Sequence, residues 1–277
     1  MILISHEMPK QLFPIHDFLN DYPYILAHLL MEGTEHYDKE YADFYREKLK
    51  ESPYSILDNS LFELGDSIDY NILYKLGEEY KPTHLILPDK SHNKEVTMEQ
   101  TMRYLLDYGK VSTPKFIGVV HGKKFEEILQ MYQFYCTIPQ IDIIAFPLNT
   151  LSFTDWSTSH PYSVNIEARY KLHRVEIVDK LARLFNCNLP KKIHLLGCIT
   201  PVEYFYYNNS IKNNIFSIDT SAPIIYGWND IDLTYKDLLN IPKPKDKLAE
   251  NLDIKLNSKQ MNLIAKNVKH LRNILIS

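Results

Sequence analysis

Asn214-Ile215-Phe216-Ser217-Ile218-Asp219-Thr220-Ser221-Ala222-Pro223 reads as a buried strand that carries an acid out to its C-terminal tip. Apolar residues lead up to Asp219, and Thr220, Ser221 and Pro223 close the run. Taken alone, Asp219 is better read as a turn or helix-cap aspartate. The rest of the chain changes that balance, because six further strand-like runs precede this one: 24–30, 55–59, 83–89, 115–122, 141–148 and 192–197. Helical patterns follow several of them, at 37–50, 70–80, 95–108, 125–135 and 165–185. Continuous apolar strands alternating with helices indicate a parallel sheet covered on both faces. At this length the alternation predicts a (β/α)8 TIM-like barrel rather than a doubly wound sheet.

Residues 1–23 read as irregular, broken by Pro9, Pro14 and Pro23. The missing eighth strand is therefore sought at 222–228. Residues 1–240 are expected to form the barrel. Residues 241–277 are expected to form a linker, Ile241-Pro242-Lys243-Pro244-Lys245, and a C-terminal helix from Ser258, its N-cap, packed on the barrel.

The 277 residues, 45% hydrophobic with mixed charge, suit a folded chain with a sizeable core. No apolar run reaches the roughly 20 residues of a membrane span. Met1-Ile2-Leu3-Ile4-Ser5-His6-Glu7 has no basic leader, so a cytoplasmic protein without a membrane partner is expected. Cys136, Cys187 and Cys198 are odd in number and far apart, which argues against a disulfide framework or a paired-cysteine zinc site. The 11 histidines show no metal-binding spacing, and no metal or cofactor is expected. A net charge of −4 argues against coating nucleic acid by bulk charge. Lys236, Lys243, Lys245, Lys247, Lys255, Lys259, Lys266, Lys269 and Arg272 nevertheless crowd the C-terminal part, as a basic surface or as a solvated helix face.

In a parallel barrel the C-terminal strand ends carry the chemistry. The polar residues predicted there are Asp58, Asn59, Ser60, Asp89, His121, Gly122, Gly197 and Asp219. Three carboxylates on one rim repel, so one tends to take up a proton, which suits an enzyme needing one ionised and one protonated acid. The plain alternatives are an Asx turn for Asp58, a helix cap for Asp89, a packed histidine for His121, and tight turns for Gly122 and Gly197.

Five stretches carry a resemblance. Leu57-Asp58-Asn59-Ser60-Leu61-Phe62 resembles the Asp-Ser-Gly-Gly-Phe motif of tRNA-guanine transglycosylases, and Leu85-Ile86-Leu87-Pro88-Asp89 their third-strand aspartate. Phe116-Ile117-Gly118-Val119-Val120-His121-Gly122 is similar to their Phe-Gly-Ile-Val-Gln-Gly, with His for Gln. His194-Leu195-Leu196-Gly197-Cys198-Ile199-Thr200-Pro201 is similar to Tyr-Leu-Met-Gly-Val-Gly-x-Pro, and Phe216-Ser217-Ile218-Asp219 stands where that family has Phe-Asp. The matches fall in family order across 50–225. The family's clustered zinc cysteines have no counterpart, its Gly-Gly becomes Ser60-Leu61, and its Gly-Gly-Leu becomes Phe146-Pro147-Leu148. Within the superfamily the chain most resembles the zinc-free phage 7-deazaguanine DNA transglycosylases.

The resemblance implies exchange of guanine in DNA for a 7-deazaguanine, such as 7-cyano-7-deazaguanine, through a covalent glycosyl-aspartate. It implies Asp219 as nucleophile and Asp58 as general acid and base. Asp89 would read the guanine edge, His121 would contact O6 or N7 by donating a proton, and Asn59, Ser60, Gly122 and Gly197 would line the base site. The partners expected are the free 7-deazaguanine base and DNA, single-stranded or with its nucleotide flipped out. Phe153, Trp156, His160 and Tyr162, in a long insertion, would stack on bases or form an apolar lid. Three other readings stay open: the same exchange on tRNA, a non-catalytic barrel that binds a nucleotide or nucleic acid, and, most distantly, a metal-dependent barrel hydrolase.

Overall fold

In the computed structural model the residues described are 2–148, 166–198, 203–234, 244 and 246–276. Eight parallel strands form one sheet in the order β1-β8-β7-β6-β5-β4-β3-β2, with helices between them and a helix at the C-terminus, a (β/α)8 TIM-like barrel. The strands are β1 Leu3–Ser5, β2 Tyr24–Leu26, β3 Ile56–Asp58, β4 His84–Ile86, β5 Lys115–Val119, β6 Ile141–Pro147, β7 Lys192–Leu196 and β8 Ile215–Asp219. The main helices are α1 Lys39–Glu51, α2 Tyr70–Tyr80, α3 Lys94–Tyr108, α4 Phe125–Cys136, α5 Ile166–Leu184, α6 Ala222–Trp228 and α7 Ser258–Ile276. By internal packing the chain divides into two compact units, Tyr22–Ala145 and Met1–Asp21 with Phe146–Ser277.

In the unit Tyr22–Ala145, β2 to β6 pair in sequence, with Leu26 opposite Asp58, Ile86 opposite Ile117 and, after a register shift between Phe116 and Ile117, Val119 opposite Ala145. α1, α2 and α3 start where short polar side chains accept backbone N–H groups: Asp38 from Tyr41, Asp69 from Asn71 and Ile72, and Asn93 from Val96. Ile128, Met131, Tyr132 and Tyr135 recur at one face of α4 and are fully buried, each contributing about 1.5–3 kcal/mol. Tyr135 also explains Gly118. A Cβ there would sit 2.8 Å from the Tyr135 ring, whose hydroxyl donates to the Val119 carbonyl at 3.0 Å.

In the other unit, β1 pairs with β8, setting Ser5 opposite Asp219, and β7 pairs with β8, setting His194 opposite Ser217. The eighth strand is thus β1, within the stretch read as irregular. It is three residues long, and its pairing with β8 defines it. The expected strand at 222–228 is instead α6. Its apolar run is buried from Ala222 to Gly227, so it shows neither strand nor helix periodicity, and Pro223 suits the first helical turn.

The chain ends are fastened together inside this unit. Gln11 exchanges two hydrogen bonds with the Leu256 backbone, and Arg272 of α7 reaches Asp21 at 2.6 Å while Asp21 accepts from Ile4 N–H at 2.9 Å. The α7 N-cap is Asn257 rather than Ser258: Asn257 and Gln260 form a reciprocal capping box, each side chain accepting the other's N–H at 3.0 Å. Among the C-terminal cations, Lys247 pairs with Glu250, Lys259 with Asp230 and Lys266 with Asp232, so part of the expected basic surface is neutralised. The linker at 241–245, apart from Pro244, lies outside the described residues, as do Lys236, Pro201 and the insertion with Phe153, Trp156, His160 and Tyr162. No helix among the described residues is long and apolar enough to cross a membrane.

Candidate active-site residues

The sequence-predicted residues fall into two hydrogen-bonded groups, one in each unit. In the unit Tyr22–Ala145, Asp58 ends β3 and is buried. Its Oδ1 accepts from the Tyr24 hydroxyl at 2.9 Å and its Oδ2 from Ser60 N–H at 2.8 Å. Ser60 takes the left-handed conformation, φ 60°, and its Oγ bonds to both the backbone N–H and Nδ1 of His28. Burial, with His36 adding to it, pushes His28 down to about 4.

Beside them runs a chain across the tips of β3, β4 and β5. Asn59 Nδ2 donates to the Leu87 carbonyl and to Asp89 Oδ1, both at 2.7 Å. His121 Nε2 lies 2.5 Å from Asp89 Oδ2. With Nε2 donating to Asp89, a neutral His121 keeps only a lone pair on Nδ1, which is buried and has no hydrogen-bond partner among the described residues. Donation to O6 or N7 would require the doubly protonated ring. Among the described residues Asp89 has one protein donor on each oxygen, and each oxygen has a second lone pair with which to meet a ligand N–H. Gly122 is required by packing, since a Cβ there would lie 2.8 Å from Glu127 Cβ.

In the second unit Asp219 closes β8 and is almost buried, its side chain 4% exposed. Gly197 N–H points between the two carboxylate oxygens, 3.0 and 3.1 Å away. His194 Nε2 is 3.0 Å from Oδ1, and His194 Nδ1 is 2.9 Å from Ser217 Oγ. Gly197 has φ 68°, in the left-handed region that glycine enters without penalty. These donors complement a negative charge. His6, which follows β1, gives a further imidazole near Asp219. Its Nδ1 is 2.9 Å from the Thr220 carbonyl, and burial lowers it to about 4 despite that bond.

Sequence reasoning missed three residues here. His194 sits inside an apolar run, and its role depends on the β7–β8 register. Arg174 and Glu203 form a fully buried ion pair. Arg174 did leave a signal: with Ile177, Val178 and Leu181 it occupies the apolar stripe of α5, where an unpaired cation would not go. Among the described residues no group of three or more His, Cys, Asp or Glu is arranged to hold a metal ion.

No family model matches the chain, and no curated protein matches it. Solved structures with a similar course include a protein from Aquifex aeolicus VF5, with 13% identity and a TM-score of 0.46 over 98% of this chain and 92% of that one. Dihydrodipicolinate synthase from Agrobacterium tumefaciens str. C58 gives 10% identity and a TM-score of 0.43 over 99% and 97%. The protein CitE from Mycobacterium tuberculosis, in complex with magnesium and pyruvate, gives 8% and 0.38 over 97% and 98%. Likenesses this distant carry no argument about activity.

Proposed function

We propose that the chain is a base-exchange transglycosylase that replaces guanine in DNA with a 7-deazaguanine. The observation that carries the reading is Asp219: a strand-tip carboxylate, nearly shut off from water, with the Gly197 amide and the His194 imidazole directed at it. The ordered motif resemblance, from Asp58 to Asp219, supplies the choice of substrate.

In the proposed reaction an Asp219 oxygen attacks C1′ of the deoxyribose as the bond from C1′ to the guanine nitrogen breaks. Asp58 gives its proton to the departing base. The incoming base then attacks C1′, its proton passes to Asp58, and Asp219 leaves as a carboxylate, so atoms and protons balance. Low exposure of the nucleophile favours a second base over water as the acceptor.

One observation favours a different reading, a binding barrel without catalysis. Asp58, Asp89 and Asp219 each have protein donors on both oxygens. The deciding experiment incubates DNA and, in parallel, tRNA with labelled guanine or 7-cyano-7-deazaguanine, and examines Asp219 by mass spectrometry for a nucleic-acid adduct. Incorporation into DNA that is abolished in Asp219→Ala is expected. Incorporation into tRNA alone would move the substrate to RNA. No incorporation into either polymer and no adduct would leave the binding reading.

A further inference from the structure

We infer that the Arg174–Glu203 ion pair is a positioning device that fixes the tip of β7 so that the Gly197 amide meets Asp219. The catalytic half of this inference rests on Asp219 being the nucleophile; the structural half does not.

Arg174 is fully buried on α5. Its Nε and Nη2 donate to the two oxygens of Glu203, each at 2.7 Å. Its Nη1 donates to the carbonyls of Phe146, on β6, and Leu196, the last residue of β7, again at 2.7 Å. Glu203 accepts in turn from the Tyr207 hydroxyl at 2.6 Å and from the Cys198 thiol at 3.5 Å. The residues on either side of Gly197 are therefore both held: Leu196 by its carbonyl to Arg174, Cys198 by its side chain to Glu203. Cys198 N–H also donates to the Asp219 carbonyl at 3.0 Å, and Thr220 Oγ1 donates to the Cys198 carbonyl. Between two pinned neighbours, Gly197 has one direction left for its N–H, and that direction is the Asp219 carboxylate.

Electrostatics alone gives little reason to keep such a pair. Taking both charges out of water offsets most of their attraction, and apolar residues of similar size often serve stability as well. What apolar residues cannot do is hold two backbone carbonyls and a carboxylate in one plane. Only a guanidinium has the fork for that geometry, and a lysine ammonium does not.

The test uses the full-length chain, Glu203→Gln, and the double variant Arg174→Met with Glu203→Leu, which removes both charges together. Base exchange is measured with the labelled base. Because the chain has only eight glycines, a 15N-glycine spectrum is simple enough to assign the Gly197 amide, using Asp219→Asn as reference. The expected result is a fall in kcat of about 100-fold with KM within twofold, as for a misplaced catalytic group. The Gly197 resonance should also move toward its position in Asp219→Asn, with the double variant still folded. A double variant that keeps wild-type kcat, or a Gly197 resonance that stays in place in both variants, overturns the inference. If the wild type exchanges no base but the Gly197 resonance moves as expected, the functional reading fails and the positioning role stands.

Discussion

Replacing Arg174 with Met alone should be among the most damaging single changes in the second unit. The substitution keeps most of the buried volume and removes four hydrogen bonds, two to Glu203 and one each to the Phe146 and Leu196 carbonyls. The Leu196 carbonyl still accepts from the Leu148 N–H at 3.0 Å. Glu203 keeps the Tyr207 hydroxyl and the Cys198 thiol but loses the guanidinium that balances its charge, and its side chain is 1% exposed. Removing one member of a buried pair typically costs about 3–5 kcal/mol, because the remaining charge is stranded. For a chain of this size that lowers the unfolding midpoint by roughly 6–10 °C, at about 2 °C per kcal/mol. Removing Glu203 as well, as Leu, takes the stranded charge away and should recover all but about 1–2 kcal/mol of the loss. Urea and thermal unfolding of the two single variants and the double variant measure the coupling directly. If the double variant is as unstable as the sum of the singles, the pair is not an isolated, mutually dependent unit, and the reasoning is refuted.

Gly227→Ala should destabilise by about 1–3 kcal/mol despite its better helix propensity, because the added Cβ would fall 2.6 Å from an Ile264 side-chain carbon and 2.8 Å from the Ile264 backbone nitrogen of α7; an unchanged denaturation midpoint would contradict this. Stability should also fall as pH drops from about 6.5 toward 4. His6 and His28 are both held near 4 by burial, so the unfolded chain takes up protons that the folded one refuses, each worth up to about 3 kcal/mol. His6→Asn should flatten that acid limb in urea titrations at stepped pH, and an unaltered slope would count against the assignment. Asp89→Asn should keep the fold but cut guanine exchange by at least about 100-fold, because an amide nitrogen must then face either Asn59 Nδ2 or His121 Nε2 and the acceptor pattern offered to guanine is lost; exchange at the wild-type rate would remove Asp89 as base reader.

The strands β2 to β8 were legible because each is an apolar run long enough to stand out, and the acids at their tips were legible because strand direction alone puts Asp58 and Asp219 at C-terminal ends. β1 was not. Leu3-Ile4-Ser5 becomes a strand only by pairing with β8 and by the grip of Asp21 on Ile4 N–H, and Asp21 is in turn held by Arg272 from the far end of the chain. The partners of the acids were equally hidden. His194 meets Asp219 only once β7 and β8 are in register, and nothing near Glu203 in the sequence points to Arg174. The acids belong to their own strands, whereas their side-chain donors come from neighbouring strands and the turns that follow them: Tyr24 for Asp58, Asn59 and His121 for Asp89, and His194 for Asp219.

Ser60 shows what this means for the departures from the family pattern. The transglycosylase motif has glycine two residues after its aspartate, and glycine enters the left-handed region without penalty. Serine there costs roughly 1–2 kcal/mol. The side chain that creates this cost also offsets it, since Ser60 Oγ bonds twice to His28, each bond worth about 0.5–1.5 kcal/mol net. The backbone keeps the conformation a glycine would have given, and with it the Ser60 N–H bond that holds Asp58 Oδ2. Serine at the position of the motif's glycine is therefore compatible with the proposed role of Asp58 as acid and base. It transfers the support of that loop from backbone freedom to His28, a residue with no counterpart in the motif.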